Sequence, residues 1–208
     1  EVRYPRLDNR QRALKRALDV TVSLGGLVLL SPLFLAVSIA IRLGSPGPIL
    51  FRQKRVGADG RVFLCYMFRS MYEGAEQRRA GLEPLNEADG PVFKIKDDPR
   101  VTLVGRLLRR WSIDELPQLV NVLKGEMSLV GPRPLPVWDF HRMEEAHKRR
   151  LEAIPGMTGY WQISGRSNLS FEEMVRLDLY YIENWSLSFD VEIILRTLGA
   201  VLRREGAY

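Results

Sequence analysis

The chain has 208 residues, a formal charge of +6 and a sequence pI of about 9.7. This length suits one ordinary domain, and the charge favours anionic partners such as phospholipid headgroups or phosphorylated small molecules. The single cysteine, Cys65, excludes an internal disulfide and a multi-cysteine zinc site, and no recognition motif supports nucleic acid as a partner.

An uncharged apolar run occupies residues 20–41, which is long enough to cross a bilayer. Ser31-Pro32 lies in its middle. One interpretation is a single transmembrane helix with a proline kink. However, both flanks of the run are basic, with Arg10, Arg12, Lys15 and Arg16 before it and Arg42, Arg52, Lys54 and Arg55 after it. A spanning helix would place one basic flank on the non-cytoplasmic side, against the positive-inside rule.

A re-entrant helix satisfies both flanks, because the chain then enters and leaves the membrane on the same face. Pro32 removes a backbone donor and disturbs the preceding helical turn. The Ser31 hydroxyl can satisfy a freed backbone group. We therefore expect a monotopic protein. Residues 1–43 would form a basic interfacial segment and the re-entrant helix, and residues 44–208 the soluble part on the cytoplasmic face.

The remaining pattern predicts an α+β fold that is mainly α with a small β-hairpin. Residues 49–71 contain two strand-like runs joined by a Gly-Ala-Asp-Gly turn. Helical patterns cover residues 101–124, 138–153, 171–184 and 189–204, and Pro117 is expected to begin a new first turn. The last helix is amphipathic and basic at its end, which favours an interfacial position. Residues 128–136 and 155–166 contain several Gly and Pro residues and are expected to form turns and rigid loops.

Two adjacent carboxylates, Asp114 and Glu115, lie among hydrophobic neighbours. One could act as a nucleophile and the other could hold a divalent cation. The alternative is a solvated helix face. Asp178 and Asp190 are isolated in the sequence, and we expect each to form an ion pair or a helix cap rather than part of the site.

Several arginines lie in segments that suit phosphate binding. Arg133 stands between two prolines that fix the backbone, which suits bidentate contact with phosphate. The alternative is a structural turn with an exposed arginine. Arg166 follows a turn-rich segment with two aromatic residues, which suits a nucleotide. Arg69 and Arg109 add further positive charge. With a membrane segment, these residues suggest transfer of a phosphorylated group from a soluble anionic donor to a lipid acceptor.

The sequence DELPQLVNVLKGEMSLVGPRP, which begins at Asp114, resembles the bacterial sugar transferases, the monotopic polyprenol-phosphate phosphoglycosyl transferases. The resemblance covers nearly the whole chain and includes PGPILFRQKRVG, FRSM, PGMTGYWQISGR and LDLYYIENWSLSFD. It implies transfer of a sugar-1-phosphate from a UDP-sugar to undecaprenyl phosphate, with release of UMP. The product would start the synthesis of a surface glycan: an exopolysaccharide, a capsule or an O-antigen. The resemblance also implies a protein of the bacterial inner membrane, with residues 44–208 as a catalytic domain on the cytoplasmic face.

The resemblance also implies roles for particular residues. Asp114 is expected to be the nucleophile and to form a covalent phosphosugar intermediate. Glu115 is expected to bind Mg²⁺, and Arg133 to bind phosphate. Arg109 is expected to bridge the carboxylate pair to the membrane helix or the donor, and Arg166 to lie near the nucleotide.

The chain departs from the family at Met67, where many members have a lysine. It resembles the catalytic portion of larger members that carry further N-terminal regions. Two other functions fit some of the same features: a membrane-bound, Mg²⁺-dependent phosphohydrolase, and a basic membrane scaffold without catalysis. The sequence identifies neither the sugar nor the oligomeric state, so a homo-oligomer stays open.

Overall fold

The computed structural model describes residues 8–87, 90–165 and 169–203. The helices are α1 (Asn9–Leu29), α2 (Ser31–Gly44), α3 (Leu103–Arg110), α4 (Gln118–Lys124), α5 (Val137–Phe140), α6 (Tyr160–Ser164), α7 (Phe171–Glu183) and α8 (Leu187–Arg203). The strands are β1 (Leu50–Val56), β2 (Val62–Phe68), β3 (Ser128–Val130) and β4 (Gly156–Thr158). Short 3₁₀ helices lie at Ala58–Gly60, Ala80–Leu85, Ile113–Glu115 and Glu145–Glu152.

The predicted break at Ser31-Pro32 separates α1 from α2, whose axes differ by 60°. Pro32 lies in the first turn of α2, where a missing backbone N–H costs least. The Ser31 hydroxyl donates a hydrogen bond of 2.8 Å to the Val28 carbonyl, four residues before the proline. Among the described residues no single helix is long and apolar enough to cross a bilayer, whereas this bent pair together has the length and composition to do so.

Beyond its basic and exposed first turn, helix α1 has a polar inner face and an apolar outer face. Its buried residues are Lys15, Asp19 and Ser23, which are spaced four residues apart and so share one side of the helix. In contrast, Leu24 and Leu29 are 54% and 79% exposed. This arrangement is the reverse of the usual pattern of a water-soluble surface helix.

Ion pairs and hydrogen bonds attach this inner face to the rest of the domain. Lys15 Nζ lies 2.6 Å from Asp190 Oδ2 in α8 and 3.1 Å from the Val130 carbonyl in β3. Asp19 Oδ1 accepts hydrogen bonds from the Leu129 amide and the Ser128 hydroxyl, both at 3.0 Å. Helix α1 is therefore joined to the strand that leads into the Arg133 loop.

Two small sheets support the domain. Strands β1 and β2 form the predicted antiparallel hairpin, in which Leu50 pairs with Phe68 and Val56 with Val62. Strands β3 and β4 form a short parallel pair that the sequence pattern did not indicate. The main core lies between β2, α4, β3, α7 and α8. Its buried members are Cys65, Met67, Leu119, Val122, Met127, Leu129, Val130, Tyr181 and Ile193.

Two of the predicted helices are interrupted. The segment 101–124 divides into α3, a 3₁₀ turn and α4. Pro117 precedes α4 as expected, whereas the main break in the helix lies at Ser112. The prediction of one helix over 138–153 was wrong, because only α5 and a 3₁₀ helix form there. Its charged side chains pair instead with distant elements, as Arg150 does with Asp178 at 2.5 Å. The predictions for α7 and α8 are confirmed, with α8 beginning two residues earlier.

Candidate active site

The Asp114–Glu115 pair lies in a tight turn between α3 and α4. Thr102 caps the start of α3 by accepting a hydrogen bond of 2.8 Å from the Gly105 amide. After α3 ends, Ser112 adopts a left-handed conformation with φ 54° and ψ 23°. This conformation is unfavourable for a residue with a Cβ atom. The reversal redirects the chain, so the two carboxylates stand on a 3₁₀ turn rather than along a continuous helix.

The loop of residues 131–136 is held rigidly beside this turn. The Gly131 amide donates to the Thr158 carbonyl and the Gly156 amide donates to the Pro132 carbonyl, both at 2.9 Å. A Cβ atom on Gly156 would lie 2.1 Å from the Gly131 nitrogen, so only glycine permits this approach of the two backbones. The close backbone contact and two prolines fix the position of Arg133.

Arg133 and Glu115 form a two-point ion pair. Arg133 Nη1 donates to Glu115 Oε2 at 3.0 Å, and Arg133 Nη2 donates to Glu115 Oε1. Each side chain keeps 24% of its surface exposed, so the pair is reachable from one side. Burial alone would raise the pKa of Glu115, but the charge and hydrogen bonds of Arg133 outweigh burial and lower it. Glu115 is therefore held as a carboxylate.

Asp114 has the opposite electrostatic setting. Burial, with a further contribution from the adjacent Glu115 charge, raises the pKa of Asp114 to about 7, while Arg109 and Arg133 oppose the shift. Within the described residues, no basic side chain lies within 4.0 Å of its carboxylate. Two neighbouring carboxyl groups with pKa values moved in opposite directions are typical of a divided chemical task.

The other predicted arginines lie in different surroundings. Arg109 is partly buried, donates from Nε to the Ser70 hydroxyl at 3.2 Å, and lowers the pKa of Asp114 through its charge. The Arg69 guanidinium donates to the carbonyls of Ser45 and Pro46, in the loop that follows α2. Its expected substrate contact stays a prediction. Arg166 lies outside the described residues.

The donor set is compatible with Mg²⁺ but not with a site built from protein alone. Within the described residues, no group of three or more His, Cys, Asp and Glu side chains is arranged to hold a metal ion. Mg²⁺ is commonly held by one or two carboxylates together with substrate phosphates and water. Asp114 and Glu115 provide those carboxylates, although Arg133 already donates to both oxygens of Glu115.

Comparison with known proteins gives the same family as the motifs. A family model described as bacterial sugar transferase matches residues 10–204. The chain belongs to the bacterial sugar transferase family.

Among the relatives of this bacterial sugar transferase, the galactosyl transferase CpsE of Streptococcus agalactiae is 48% identical, over 93% of the chain and 43% of the relative. The undecaprenyl-phosphate galactose phosphotransferase of Salmonella typhimurium is 43% identical, over 95% of the chain and 42% of the relative. The UDP-glucose:undecaprenyl-phosphate glucose-1-phosphate transferase of Escherichia coli is 39% identical, over 97% of the chain and 43% of the relative. The chain therefore spans less than half the length of these relatives.

Sequence reasoning missed some residues that shape the site of this sugar transferase. The left-handed Ser112 gives no signal, since serine rarely adopts that conformation. The buried polar face of α1 had a signal: Lys15, Asp19 and Ser23 recur every fourth residue at the edge of an apolar run. The expectation that Asp178 and Asp190 form ion pairs is confirmed.

Proposed function

We propose that this bacterial sugar transferase moves a sugar-1-phosphate from a UDP-sugar to undecaprenyl phosphate and releases UMP. The observation that carries the proposal is the contrast within one carboxylate pair. Glu115 is bound to Arg133, whereas Asp114 is partly buried without an ion-pair partner among the described residues. Relatives named for transfer of galactose or glucose-1-phosphate to undecaprenyl phosphate support the same substrate classes.

In the first step, a carboxylate oxygen of Asp114 attacks the phosphorus that carries the sugar. The bond from that phosphorus to the oxygen bridging the two phosphates breaks, and UMP leaves with the electron pair. The product is an acyl phosphate between Asp114 and the sugar phosphate. An ionised Asp114 is required, and the positive charges of Arg109 and Arg133 favour that ionised form.

In the second step, an oxygen of undecaprenyl phosphate attacks the same phosphorus. The bond to Asp114 breaks, the carboxylate is regenerated, and an undecaprenyl-diphosphate sugar is formed. Because UMP has already left, donor and acceptor can use one phosphate position in turn. Such a reaction needs stabilisation of phosphate charge more than a strong base.

Glu115 and the donor phosphates would hold Mg²⁺, which when bound would neutralise charge on the diphosphate. The Arg133 guanidinium has a planar fork that suits a phosphate as well as a carboxylate. Its contact with Glu115 keeps it extended toward the pair before the donor arrives. On this account, Arg133 is shared between Glu115 and the donor phosphate during the reaction.

The exposed apolar surface supports a position at the membrane. Leu35 and Leu43 in α2 are 65% and 82% exposed, and Leu103 and Leu107 in α3 are 80% and 57% exposed. Contact of these apolar side chains with lipid is favourable, whereas their exposure to water is unfavourable. A re-entrant α1–α2 segment and an interfacial α3 would bring Asp114 close to the headgroups, where the acceptor phosphate lies. The active site would then face the cytoplasm.

The test is UMP release from a panel of UDP-sugars with Mg²⁺, with and without undecaprenyl phosphate. We expect sustained release with one class of sugar only when the lipid is present, and none from Asp114→Asn. Sustained release without lipid would instead indicate a phosphohydrolase. Release by Asp114→Asn at the wild-type rate would exclude Asp114 as the nucleophile.

A further inference from the structure

Two buried arginines hold consecutive carbonyls of the loop that carries Arg133. Arg150 Nη2 donates to the Arg133 carbonyl at 3.0 Å, and Arg55 Nη1 donates to the Pro134 carbonyl at 3.2 Å. Arg150 is 4% exposed and Arg55 is 8% exposed. Since the two prolines already fix φ on either side of Arg133, these contacts restrict the remaining freedom of the loop.

The two arginines differ in how their charge is balanced. Arg150 forms an ion pair of 2.5 Å with the buried Asp178. Arg55 contacts only neutral groups besides the carbonyl: Gln53 Oε1 at 3.1 Å and Met67 Sδ at 3.8 Å. Within the described part of the chain, no carboxylate lies within 4.0 Å of Arg55. A buried charge normally has a counterion, because an unpaired one is costly to remove from water.

The surroundings of Arg55 indicate where a counterion could come from. Its charge acts on Glu115, whose pKa it helps to lower, although less than Arg133 does. Glu115 is already bound at both oxygens by Arg133. The other carboxylate that acts on Arg55 is Asp139, which is paired with Arg79 at 2.9 Å. The positive charge of Arg55 therefore has no ion-pair partner of its own among the described residues, and it acts on Glu115 in the candidate active site.

We propose that Arg55 is a positioning residue for the transfer reaction. Its hydrogen bond to the Pro134 carbonyl fixes the Arg133 loop, and its uncompensated charge strengthens binding of a nucleoside diphosphate at the Asp114–Glu115 pair. This inference rests on the proposed function. It assigns Arg55 no contact with the substrate, because its guanidinium is buried and donates to the Pro134 carbonyl. Its charge acts over distance, which is more effective in a partly buried site than in water.

The test compares two substitutions that separate charge from hydrogen bonding. Arg55→Lys keeps the charge, and Arg55→Gln keeps a donor for the Pro134 carbonyl but loses the charge. Arg52→Gln is the matched control, because Arg52 is an exposed arginine on the same strand, where water and salt screen its charge. The probe is UDP with Mg²⁺, measured by calorimetry on the full chain in lipid nanodiscs, together with the melting temperature and the KM and kcat for the active UDP-sugar.

We expect Arg55→Gln to weaken UDP binding by about tenfold, because a unit charge is lost beside a partly buried site. KM should rise by a similar factor. Arg55→Lys should bind UDP within about threefold of wild type, and Arg52→Gln should match wild type. Equal affinity of Arg55→Gln and wild type would overturn the inference. Equal losses in the Lys and Gln variants would also overturn it, since they would indicate a purely structural role.

Failure of the proposed function gives a different result. If the wild-type chain releases no UMP with lipid and does not bind UDP, the transferase proposal fails and the role of Arg55 falls with it. If the wild type binds UDP and releases UMP but Arg55→Gln is unchanged in both measurements, only the inference about Arg55 is wrong.

Discussion

Glu115 and Arg133 are joined by a two-point ion pair across 18 residues of sequence, with Arg133 Nη1 3.0 Å from Glu115 Oε2. The contact connects the turn after α3 to the loop after β3. It also makes the neighbouring carboxyl groups of Asp114 and Glu115 differ in how readily they ionise. Glu115 is held as an anion, while the partly buried Asp114 has no ion-pair partner in the part of the chain that the structure describes.

Asp114→Asn should abolish transfer while the fold is retained. The amide cannot form the acyl phosphate, and loss of a nucleophile typically lowers the rate by about a thousandfold or more. UMP release measures this directly. Asp97→Asn provides the matched control, because Asp97 is an exposed aspartate. Loss of activity in both variants to the same extent would argue against a specific role for Asp114.

The free energy of unfolding should depend on pH through Asp114. Its folded-state pKa of about 7 lies above the ordinary value of 3.8, so the folded protein binds the proton more tightly. Stability from this group is therefore complete below about pH 4 and is lost as the pH rises through about 7. Denaturant unfolding at pH 5 and pH 8 should show a smaller loss in Asp114→Asn than in wild type. An identical loss in the two proteins would contradict the raised pKa.

Removal of the Arg133 charge should harm both stability and catalysis. Arg133→Met leaves the Glu115 carboxylate with unsatisfied acceptors, at a cost of about 1–3 kcal/mol in the free energy of unfolding. Glu115→Gln in the same background should recover part of that stability but none of the activity. Chemical denaturation and UMP release measure the two effects. Additive stability losses in the double variant would mean that the two side chains are not coupled.

Ser112 should tolerate glycine but not a β-branched residue. The positive φ of Ser112 destabilises the folded state by about 1–2 kcal/mol when the residue has a Cβ atom. Glycine avoids this cost, but its greater freedom in the unfolded chain offsets part of the gain in stability. Ser112→Gly should therefore keep stability close to wild type, whereas Ser112→Val should lose both stability and UMP release. Asp59, with φ 53° in the hairpin turn, is the control position. Asp59→Val should lose stability and keep transfer per folded molecule.

The re-entrant topology can be tested by labelling single cysteines at positions 10 and 54. Arg10 and Lys54 are exposed and lie on either side of the apolar run, whereas Cys65 is fully buried and should not react. In inside-out vesicles, a membrane-impermeant maleimide should label both sites. In right-side-out vesicles it should label neither. Labelling of only one position in each preparation would show that the segment spans the bilayer.

The sequence by itself determined the local features of this protein. The uncharged run with Ser31-Pro32 gave the bent helix pair, because a proline inside a helix removes a backbone hydrogen bond and bends or breaks the helix. The turn between the alternating runs gave the β1–β2 hairpin. Adjacent carboxylates and the proline-flanked Arg133 marked the candidate site, and the ordered motifs gave the family.

The tertiary structure alone decided the long-range contacts. The pairing of Glu115 with Arg133, the hold of Arg55 on the Pro134 carbonyl and the β3–β4 pair join distant segments whose patterns are independent. The charged segment 138–153 illustrates the reason. Its local pattern favoured one helix, but burial of Arg150 against Asp178 outweighs helix propensity, which contributes only a few tenths of a kcal/mol per residue. Packing and charge pairing, rather than local preference, set the geometry of the site.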